Sequence, residues 1–307
     1  MSDQTVSLQL ASIPRQRVGD HEIHQLIARG GMAAVFEATH LPTGRAVALK
    51  MLRADVPEAA EAVERFRREA RLARLLAHPH IVEVLGVVEE GEVSHLVMEL
   101  VRGSSLAALA DRGAVHVRRA LVIVRQVLEG LGHAHAAGVI HRDVKPANVM
   151  VARVGEPGRE RDHAKLLDFG VAKLVGEAAE VAGADRLTRT GLVFGTPAYL
   201  SPEQGHARPL DGRTDLYALG VVAFELLTGR VPFRSPDPAT VVRMHAAAPI
   251  PTLASAAPGR PWCTPELEAL VRGALAKRPE DRFADAAAMI AAVERALLSI
   301  DHLPAGV

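Results

Sequence analysis

The sequence is short of cysteine and has no excess of charge of either sign. Cys263 is the one cysteine among 307 residues, so the chain cannot form an internal disulfide bond. A reducing cytoplasm suits such a chain, and we expect Cys263 to be a small, partly buried residue. Lysine plus arginine and aspartate plus glutamate number 36 each, which leaves no bulk positive field to attract nucleic acid. We therefore expect a cytoplasmic protein that does not bind nucleic acid.

Long apolar runs are also missing. The longest apolar stretch covers residues 216–227, contains Glu225 and is too short to cross a bilayer. The first residues show no basic segment followed by an apolar one, so no signal peptide is predicted. No Gly-Lys dipeptide occurs, which excludes the P-loop ATPases, because their phosphate-binding loop requires it. We expect a chain without a membrane segment.

The positions of the apolar residues predict strands first and helices later. Residues 1–20 are polar and aperiodic, which predicts a flexible tail. Five strands are predicted over residues 21–28, 34–40, 45–51, 81–88 and 93–100. One helix is predicted over residues 58–76. Later helices are predicted over residues 118–137, 215–228, 265–276 and 285–298, with Gly229 ending the second of these.

These patterns predict an α+β chain with two lobes. A small five-stranded lobe with one helix covers residues 21–101, and a larger, mainly helical lobe covers residues 102–300. Residues 301–307 form a C-terminal tail.

Three features of the small lobe are ambiguous when taken singly. The run from Gly30 to Ala33 lies between two apolar strands and is either a tight hairpin or a loop that covers phosphates. Lys50 ends a strand, where a lysine is usually solvated. Glu69 lies at the edge of an apolar helical stripe and needs a cationic partner, because burying an unpaired carboxylate is costly. Lys50 is the available partner.

The strongest functional pattern combines Asp168-Phe169-Gly170 with the upstream run His141-Arg142-Asp143-Val144-Lys145-Pro146-Ala147-Asn148. Phosphoryl transfer needs positioning and neutralisation of charge more than covalent chemistry. Asp143 can accept the proton of an attacking hydroxyl group, and Lys145 can meet the γ-phosphate as a point charge. Asn148 and Asp168 offer the oxygen ligands that Mg²⁺ prefers. The alternative interpretation is a polar turn followed by a short strand.

With these motifs, the chain resembles the eukaryotic-like serine/threonine protein kinases of bacteria over roughly residues 21–298. The resemblance implies the two-lobed protein kinase fold, ATP as the phosphate donor and protein substrates with serine or threonine acceptors. It implies Mg²⁺ as the metal, with Mn²⁺ as an alternative. In this interpretation Asp143 is the catalytic base with Lys145 beside it, and Asn148 and Asp168 hold metal.

The resemblance also assigns the ATP-binding residues. Lys50 becomes the lysine that contacts the α- and β-phosphates, with Glu69 as its partner. Met98 becomes the gatekeeper, and backbone groups of Glu99 and Val101 meet the adenine. The remaining positions, in the glycine-rich loop and against the adenine ring, are Ile27, Ala28, Gly30, Gly31, Met32, Ala33, Val35, Ala48 and Met150.

Further matches lie outside the ATP site. Ser201-Pro202-Glu203 stands where the family usually has Ala-Pro-Glu, and the resemblance implies that Glu203 pairs with Arg282. It also implies that His141 and Phe169 stack in an internal apolar spine anchored near Asp215.

An activation segment is implied after Gly170. It contains Thr188 and Thr190, which are expected phosphorylation sites, with Arg142 as the partner of the added phosphate. The alternative is that these threonines are ordinary loop residues. Thr196 is expected to shape the substrate site. Phosphorylation in trans would require a transient homodimer.

Two features depart from the family pattern. Alanine replaces glycine at Ala28 and Ala33, and alanine tolerates positive φ poorly. We therefore expect weaker ATP binding or slower turnover, but not loss of activity. The spacer before Asp168 carries an additional polar stretch, residues 155–162, which we expect to be a solvated hairpin loop; the alternative is a docking site.

Two rival functions remain open. A nucleotide-binding pseudokinase that acts as a scaffold or switch is supported only by the two alanines. A small-molecule phosphotransferase is opposed by Ser-Pro-Glu, by the activation segment and by Lys145. We expect His133 and His135 to pack and not to bind metal. The sequence leaves open the substrate, the activating signal, the oligomeric state and a continuation into a membrane span and sensor, which many relatives have.

Overall fold

The structure, a computed structural model, describes residues 17–30, 33–52, 76–90, 93–168 and 197–302. The chain divides into two compact units. The first combines Met1–Ala77 with Val82–Arg102, and the second combines His78–Ile81 with Gly103–Val307. The predicted helix over residues 58–76 lies outside the described residues, except for its last position, Leu76, which is buried.

The first unit contains a six-stranded antiparallel sheet in the order β1-β2-β3-β4-β6-β5. Its strands are β1 (Arg17–Val18), β2 (His21–Arg29), β3 (Ala33–His40), β4 (Arg45–Leu52), β5 (Val84–Glu90) and β6 (Val93–Glu99). Five of them agree with the predicted strands within a few residues. The two-residue β1 was not predicted, because it is too short to show alternation and lies within the stretch expected to be a flexible tail.

Alternating side chains place an apolar core on one face of this sheet. Val47 and Leu49 of β4 are buried there with Phe36 of β3 and Val97 of β6. Because successive side chains of a strand point to opposite faces, Lys50 lies on the other face. The alternation of β4 thus produces both the core and a separate surface that carries Lys50.

The second unit combines a small sheet with the helices of the described region. The sheet consists of β7 (Ser104–Ser105), β8 (Val149–Val154) and β9 (Arg161–Leu166). The helices are α1 (Leu106–Ala110), α2 (Val117–Ala136), α3 (Pro202–Gly205), α4 (Arg213–Thr228), α5 (Pro238–Ala247), α6 (Leu253–Ala256), α7 (Pro265–Ala274) and α8 (Ala286–Asp301). No helix in the described part of the chain is both long and apolar enough to cross a membrane.

Helix α4 is buried along almost its whole length, as its uniformly apolar sequence predicts. It ends at Gly229, whose φ of 74° is the left-handed conformation that glycine adopts without steric cost. The predicted end of the helix is confirmed. Gly220 allows α7 to pack closely, because a Cβ atom there would lie 2.6 Å from the Cβ of Ala274.

The hairpin between β8 and β9 differs from the prediction at one end. Residues 155–160 are exposed, as expected of a solvated loop. Asp162, however, lies on β9, and both of its carboxylate oxygens accept hydrogen bonds from Arg119 of α2 at 2.9 Å. Gln126 Nε2 donates to the Asp162 carbonyl oxygen at 3.0 Å. Arg119 and Asp162 are 43 positions apart, so no local sequence pattern predicts that Asp162 is hydrogen-bonded to α2.

Candidate active site

The loop between α2 and β8 brings together three of the predicted catalytic and metal-binding side chains. Lys145 Nζ lies 2.7 Å from Asp143 Oδ2. Asn148 Nδ2 donates to the same oxygen at 2.9 Å and to the Asp143 carbonyl oxygen at 2.8 Å. The Asp143 side chain is 28% exposed. Its carboxylate is therefore held in place and still accessible, which suits a group that takes a proton from an incoming hydroxyl.

Asn148 and Asp168, the two predicted metal ligands, lie at adjoining ends of β8 and β9. The Leu167 N–H donates to the Asn148 carbonyl oxygen at 2.9 Å, which holds the two ends side by side. Because Asn148 uses its amide N–H groups on Asp143, its Oδ1 suits a hard metal ion, as does the Asp168 carboxylate. Among the described residues, no three His, Cys, Asp or Glu side chains are arranged to hold a metal. An ion at this site would need further oxygen ligands, such as those of phosphates.

Asp215, in the first turn of α4, holds the backbone of this loop. Its side chain is fully buried. Oδ1 accepts the Arg142 N–H at 2.7 Å, and Oδ2 accepts the His141 N–H at 2.8 Å. His135 Nε2 donates to Oδ2, also at 2.8 Å. These three donors compensate the cost of burying the carboxylate.

His141 connects the loop to the segment that precedes Asp168. Its Nδ1 accepts the Asp143 N–H at 3.3 Å, so Nε2 carries the ring proton and donates to the Leu167 carbonyl oxygen at 2.8 Å. The residue is fully buried. Its expected stacking partner and the remaining downstream positions lie outside the described residues: Phe169, Gly170, Thr188, Thr190 and Thr196.

Two non-glycine residues of the site have left-handed backbone conformations. The φ angle is 65° at Arg142 and 44° at Asp168. Such a conformation costs roughly 1–3 kcal/mol and persists only where the surroundings enforce it. At Arg142, the hydrogen bond to Asp215 supplies part of that constraint. The strain falls at one predicted metal ligand and directly before the predicted base, a distribution that is typical of functional sites.

Glu203 and Arg282, which the resemblance pairs, form a buried ion pair. The guanidinium donates to both carboxylate oxygens at 2.7 and 2.8 Å, and Thr214 Oγ1 donates to Oε1 at 2.8 Å. Burial opposes ionisation of Glu203, but the hydrogen bonds and charge of Arg282 outweigh it and hold the pKa of Glu203 below its usual value. The guanidinium also lies 4.7 Å from the centroid of the Tyr217 ring. The pair ties Glu203 to α4.

In the first unit, several residues assigned to ATP binding share one face of the sheet. Val35 is paired with Ala28 on one side and with Lys50 on the other, and Ala48 is paired with Met98. Ala48 and Lys50 are two positions apart on β4, so their side chains point to the same side. This face is opposite to the apolar core of the sheet.

The other assigned positions lie at the margins of the strands. Ile27 on β2 is 47% exposed. The Gly30 N–H donates to the Ala33 carbonyl oxygen at 2.8 Å and closes the turn between β2 and β3. Glu99 is the last residue of β6, and Met150 is on β8 of the second unit. Val101 is described and belongs to no strand, whereas three positions lie outside the described residues: Gly31, Met32 and Glu69.

Ala28 and Ala33 show no backbone strain. Of the non-glycine residues that the structure describes, only Arg142, Asp168 and Ala207 have positive φ. Both alanines therefore adopt conformations that any L-residue accepts. The backbone geometry therefore shows no strain at these two alanines, and the expected weaker ATP binding or slower turnover stays a prediction.

Two residues that form hydrogen bonds with Asp215 or with the catalytic loop were not assigned from the sequence. His135 contacts Asp215 across 80 positions, a separation that leaves no local pattern. Gln204 Nε2 donates to the Arg142 carbonyl oxygen at 2.8 Å. A signal for Gln204 was present, because Ser201-x-x-Gln204 matches the capping-box pattern at a helix N-terminus.

A family profile described as "Protein kinase domain" matches residues 21–293. The chain belongs to the protein kinase family. Members of this family use ATP and divalent metal ions, and the donor groups of Asn148 and Asp168 are chemically suited to such ions. The two-lobed α+β fold expected from the sequence is the protein kinase fold.

Bacterial proteins are similar to this kinase over most of its length. Serine/threonine-protein kinase pkn3 of Myxococcus xanthus is 40% identical over 291 residues, which are 92% of this chain and 52% of that protein. PknB of Mycolicibacterium smegmatis is 37% identical over 284 residues, which are 90% of this chain and 43% of that protein. The chain thus spans about half or less of the length of these curated relatives.

A solved structure shows the same fold. The kinase domain of PknI from Mycobacterium tuberculosis superposes with a TM-score of 0.68 at 27% identity, covering 93% of this chain and 99% of that one. Together with the bacterial relatives, this likeness confirms that the kinase is of the bacterial, eukaryotic-like type.

Proposed function

We propose that this kinase transfers the γ-phosphate of ATP to serine and threonine hydroxyls of proteins. The observation that carries the proposal is the cluster of Asp143, Lys145 and Asn148 in one loop, with Asp168 at the neighbouring strand end. The names of the bacterial relatives support serine and threonine as acceptors. The same preference is implied by Lys145, which resembles the serine/threonine branch of the family.

Asp143 accepts a hydrogen bond from the substrate hydroxyl and takes its proton as the oxygen bonds to the γ-phosphorus. The bond from that phosphorus to the β,γ-bridging oxygen breaks, and ADP is released. Lys145, beside Asp143, stabilises the negative charge on the transferred group. Asn148 orients Asp143 through its two hydrogen bonds. This contact matters because positioning contributes most of the catalysis in phosphoryl transfer.

We assign metal binding to Asn148 and Asp168. Bound divalent ions neutralise the charge of the phosphates during transfer. Oxygen ligands favour Mg²⁺, and Mn²⁺ is the alternative because it accepts the same ligand type.

We assign ATP binding to the face of the first unit that carries Lys50. Lys50 contacts the α- and β-phosphates, with Glu69 as its partner. Met98 limits the depth of the adenine site, and backbone groups of Glu99 and Val101 bind the base. The remaining contacts are assigned to Ile27, Ala28, Gly30, Gly31, Met32, Ala33, Val35, Ala48 and Met150.

Regulation by phosphorylation of Thr188 or Thr190 follows from the same family pattern. A phosphate on either threonine would pair with Arg142, and transfer between two molecules would require a transient homodimer. The single cysteine and the use of ATP support a cytoplasmic location for this domain.

Transfer of labelled γ-phosphate from Mg·ATP to a generic basic protein, followed by phosphoamino acid analysis, tests the proposal. We expect label in phosphoserine and phosphothreonine, none in phosphotyrosine, and loss of transfer when EDTA removes the metal. Repeating the assay with Mn²⁺ in place of Mg²⁺ shows which of the two metal ions supports phosphate transfer. Intact ATP binding without any transfer would contradict the proposal and favour a nucleotide-binding scaffold.

A further inference from the structure

Gln204 makes hydrogen bonds in two directions. Within the first turn of α3, its Oε1 accepts the Ser201 N–H at 3.1 Å, and the Ser201 hydroxyl oxygen accepts the Gln204 N–H at 3.3 Å. This reciprocal arrangement is a capping box. In the other direction, Gln204 Nε2 donates to the Arg142 carbonyl oxygen at 2.8 Å. One side chain thus links the Ser-Pro-Glu helix to the residue that precedes Asp143.

The surroundings determine which way the Gln204 amide points. The Ser201 backbone offers a donor, which only the amide oxygen can accept, and the Arg142 carbonyl offers an acceptor, which only the amide nitrogen can satisfy. The reversed amide would place two donors together at one end and two acceptors at the other. The contact with the catalytic loop therefore depends on an amide N–H group at this position.

Arg142 is the strained residue of the catalytic loop. Its φ angle is 65°, and the residue is 7% exposed. Its N–H is held by Asp215 Oδ1 at 2.7 Å, and its carbonyl oxygen is held by Gln204 Nε2 at 2.8 Å. Two hydrogen bonds, one to the N–H and one to the carbonyl oxygen, thus fix the backbone of Arg142. The Arg142 carbonyl and the Asp143 N–H belong to the same planar peptide group, so the orientation of this group sets the direction of the chain at Asp143.

We propose that Gln204 is a positioning residue for Asp143, acting through the Arg142 carbonyl. The proposal rests on the proposed kinase function and adds a contact from α3 that controls the geometry of the base. Because it acts on the reacting geometry and not on nucleotide binding, its loss should lower kcat and leave KM for ATP almost unchanged.

The matched test compares Gln204→Glu with Ser201→Ala. Glutamate preserves the capping box, since it accepts the Ser201 N–H equally well, but it places an oxygen against the Arg142 carbonyl where a donor is needed. Ser201→Ala weakens the capping box and leaves the Gln204 amide N–H in place. Gln204→Met, which is uncharged, removes both contacts and controls for the charge that glutamate introduces.

We expect Gln204→Glu and Gln204→Met to lower kcat about tenfold, the factor that corresponds to one lost buried hydrogen bond. We expect KM for ATP to stay within about twofold. Ser201→Ala should lower the melting temperature while retaining most of kcat. Wild-type kcat in both Gln204 variants would overturn the proposal, as would an equal loss of kcat in Ser201→Ala.

Hydrogen exchange gives a readout that does not depend on activity. The His141 and Arg142 N–H groups are bound to buried Asp215, and loosening of the loop exposes them. We expect faster exchange in peptides covering residues 139–145 of Gln204→Glu, with no change in peptides from α4. Unchanged exchange would overturn the proposal even if the wild-type protein transferred no phosphate, whereas absent transfer alone would contradict only the proposed function.

Discussion

Asp215 and Glu203 are both carboxylates in the interior of the second unit, yet their charges are compensated differently. Asp215 accepts two backbone N–H groups and one histidine N–H. Glu203 accepts two hydrogen bonds from the guanidinium of Arg282 and one from Thr214. One carboxylate is satisfied mainly by neutral donors of the catalytic loop, and the other is satisfied mainly by a full positive charge.

The difference separates orientation from stability. Because its partners include consecutive backbone groups of the loop, Asp215 fixes the path of the chain towards Asp143. The pair of Glu203 and Arg282 links α3 to the first turn of α4, because Thr214 donates to Glu203 and Arg282 donates to the Arg213 carbonyl oxygen. We therefore expect loss of Asp215 contacts to reduce mainly kcat and loss of the ion pair to reduce mainly the free energy of unfolding.

The largest effect on stability is expected for Glu203→Gln. Glutamine keeps the shape of the side chain and leaves the buried Arg282 without a counter-charge, which should lower the free energy of unfolding by about 3–5 kcal/mol. Urea denaturation followed by circular dichroism measures this change. A loss of activity without destabilisation would contradict the division between the two carboxylates.

The free energy of unfolding should depend on pH through His245, which contacts the same Tyr217 as Arg282. Its Nδ1 is 2.8 Å from the Tyr217 hydroxyl, and burial, followed by the charge of Lys277, lowers the pKa of His245 to about 4. The unfolded chain has a histidine pKa of about 6.5, so between pH 6.5 and 4 the unfolded state binds more protons. The free energy of unfolding should therefore fall by on the order of 3 kcal/mol as the pH falls through this window.

The variant His245→Asn isolates this contribution from other titrating groups. Asparagine can still accept from the Tyr217 hydroxyl but takes up no proton. Urea denaturation at pH 7 and at pH 4.5 should show a smaller loss for the variant than for the wild type. Equal losses would mean that His245 does not titrate between the folded and unfolded states.

Asp215→Asn should have a smaller effect on stability and a larger one on turnover. Each orientation of the asparagine amide puts its NH₂ group against a donor, either the Arg142 N–H or the pair at Oδ2. Such a buried unsatisfied donor costs about 1–3 kcal/mol. We expect kcat to fall by about tenfold or more in steady-state assays. An unchanged kcat would show that Asp215 does not orient the loop.

The smallest effect is expected at a surface pair of the same charges. Arg278 and Glu280 are exposed and contact each other, and solvent screens such pairs. Glu280→Gln should leave both kcat and the free energy of unfolding unchanged within error. A clear destabilisation would mean that charge pairing as such, and not burial, distinguishes Glu203.

Much of the fold and part of the site could be predicted because the signals are local. The strands β2 to β6 are short runs bounded by turn residues, and the residues from His141 to Asn148 are contiguous. β1 was missed because two residues carry no period. The docking of Asp162 on Arg119 and the contact of His135 with Asp215 were missed because their partners are 43 and 80 positions away.

The sequence also did not predict which residues of the site have positive φ angles. Alanine stands at Ala28 and Ala33, where glycine is usual, and neither has positive φ, whereas Arg142 and Asp168 do. The reason is physical: Ala28 and Ala33 lie in extended strands, whereas Arg142 is held by hydrogen bonds from distant parts of the chain.

The most direct test of the central claim compares Asp143→Asn with wild type in transfer of γ-phosphate from Mg·ATP to a protein substrate. Asn has nearly the same shape as aspartate but is a poor proton acceptor, so kcat should fall by about 10²–10⁴-fold while ATP affinity and the melting temperature are retained. Asp301→Asn, at the exposed last residue of α8, is the matched control and should match wild type. A kcat for Asp143→Asn within about threefold of wild type would contradict the assignment of Asp143 as the base.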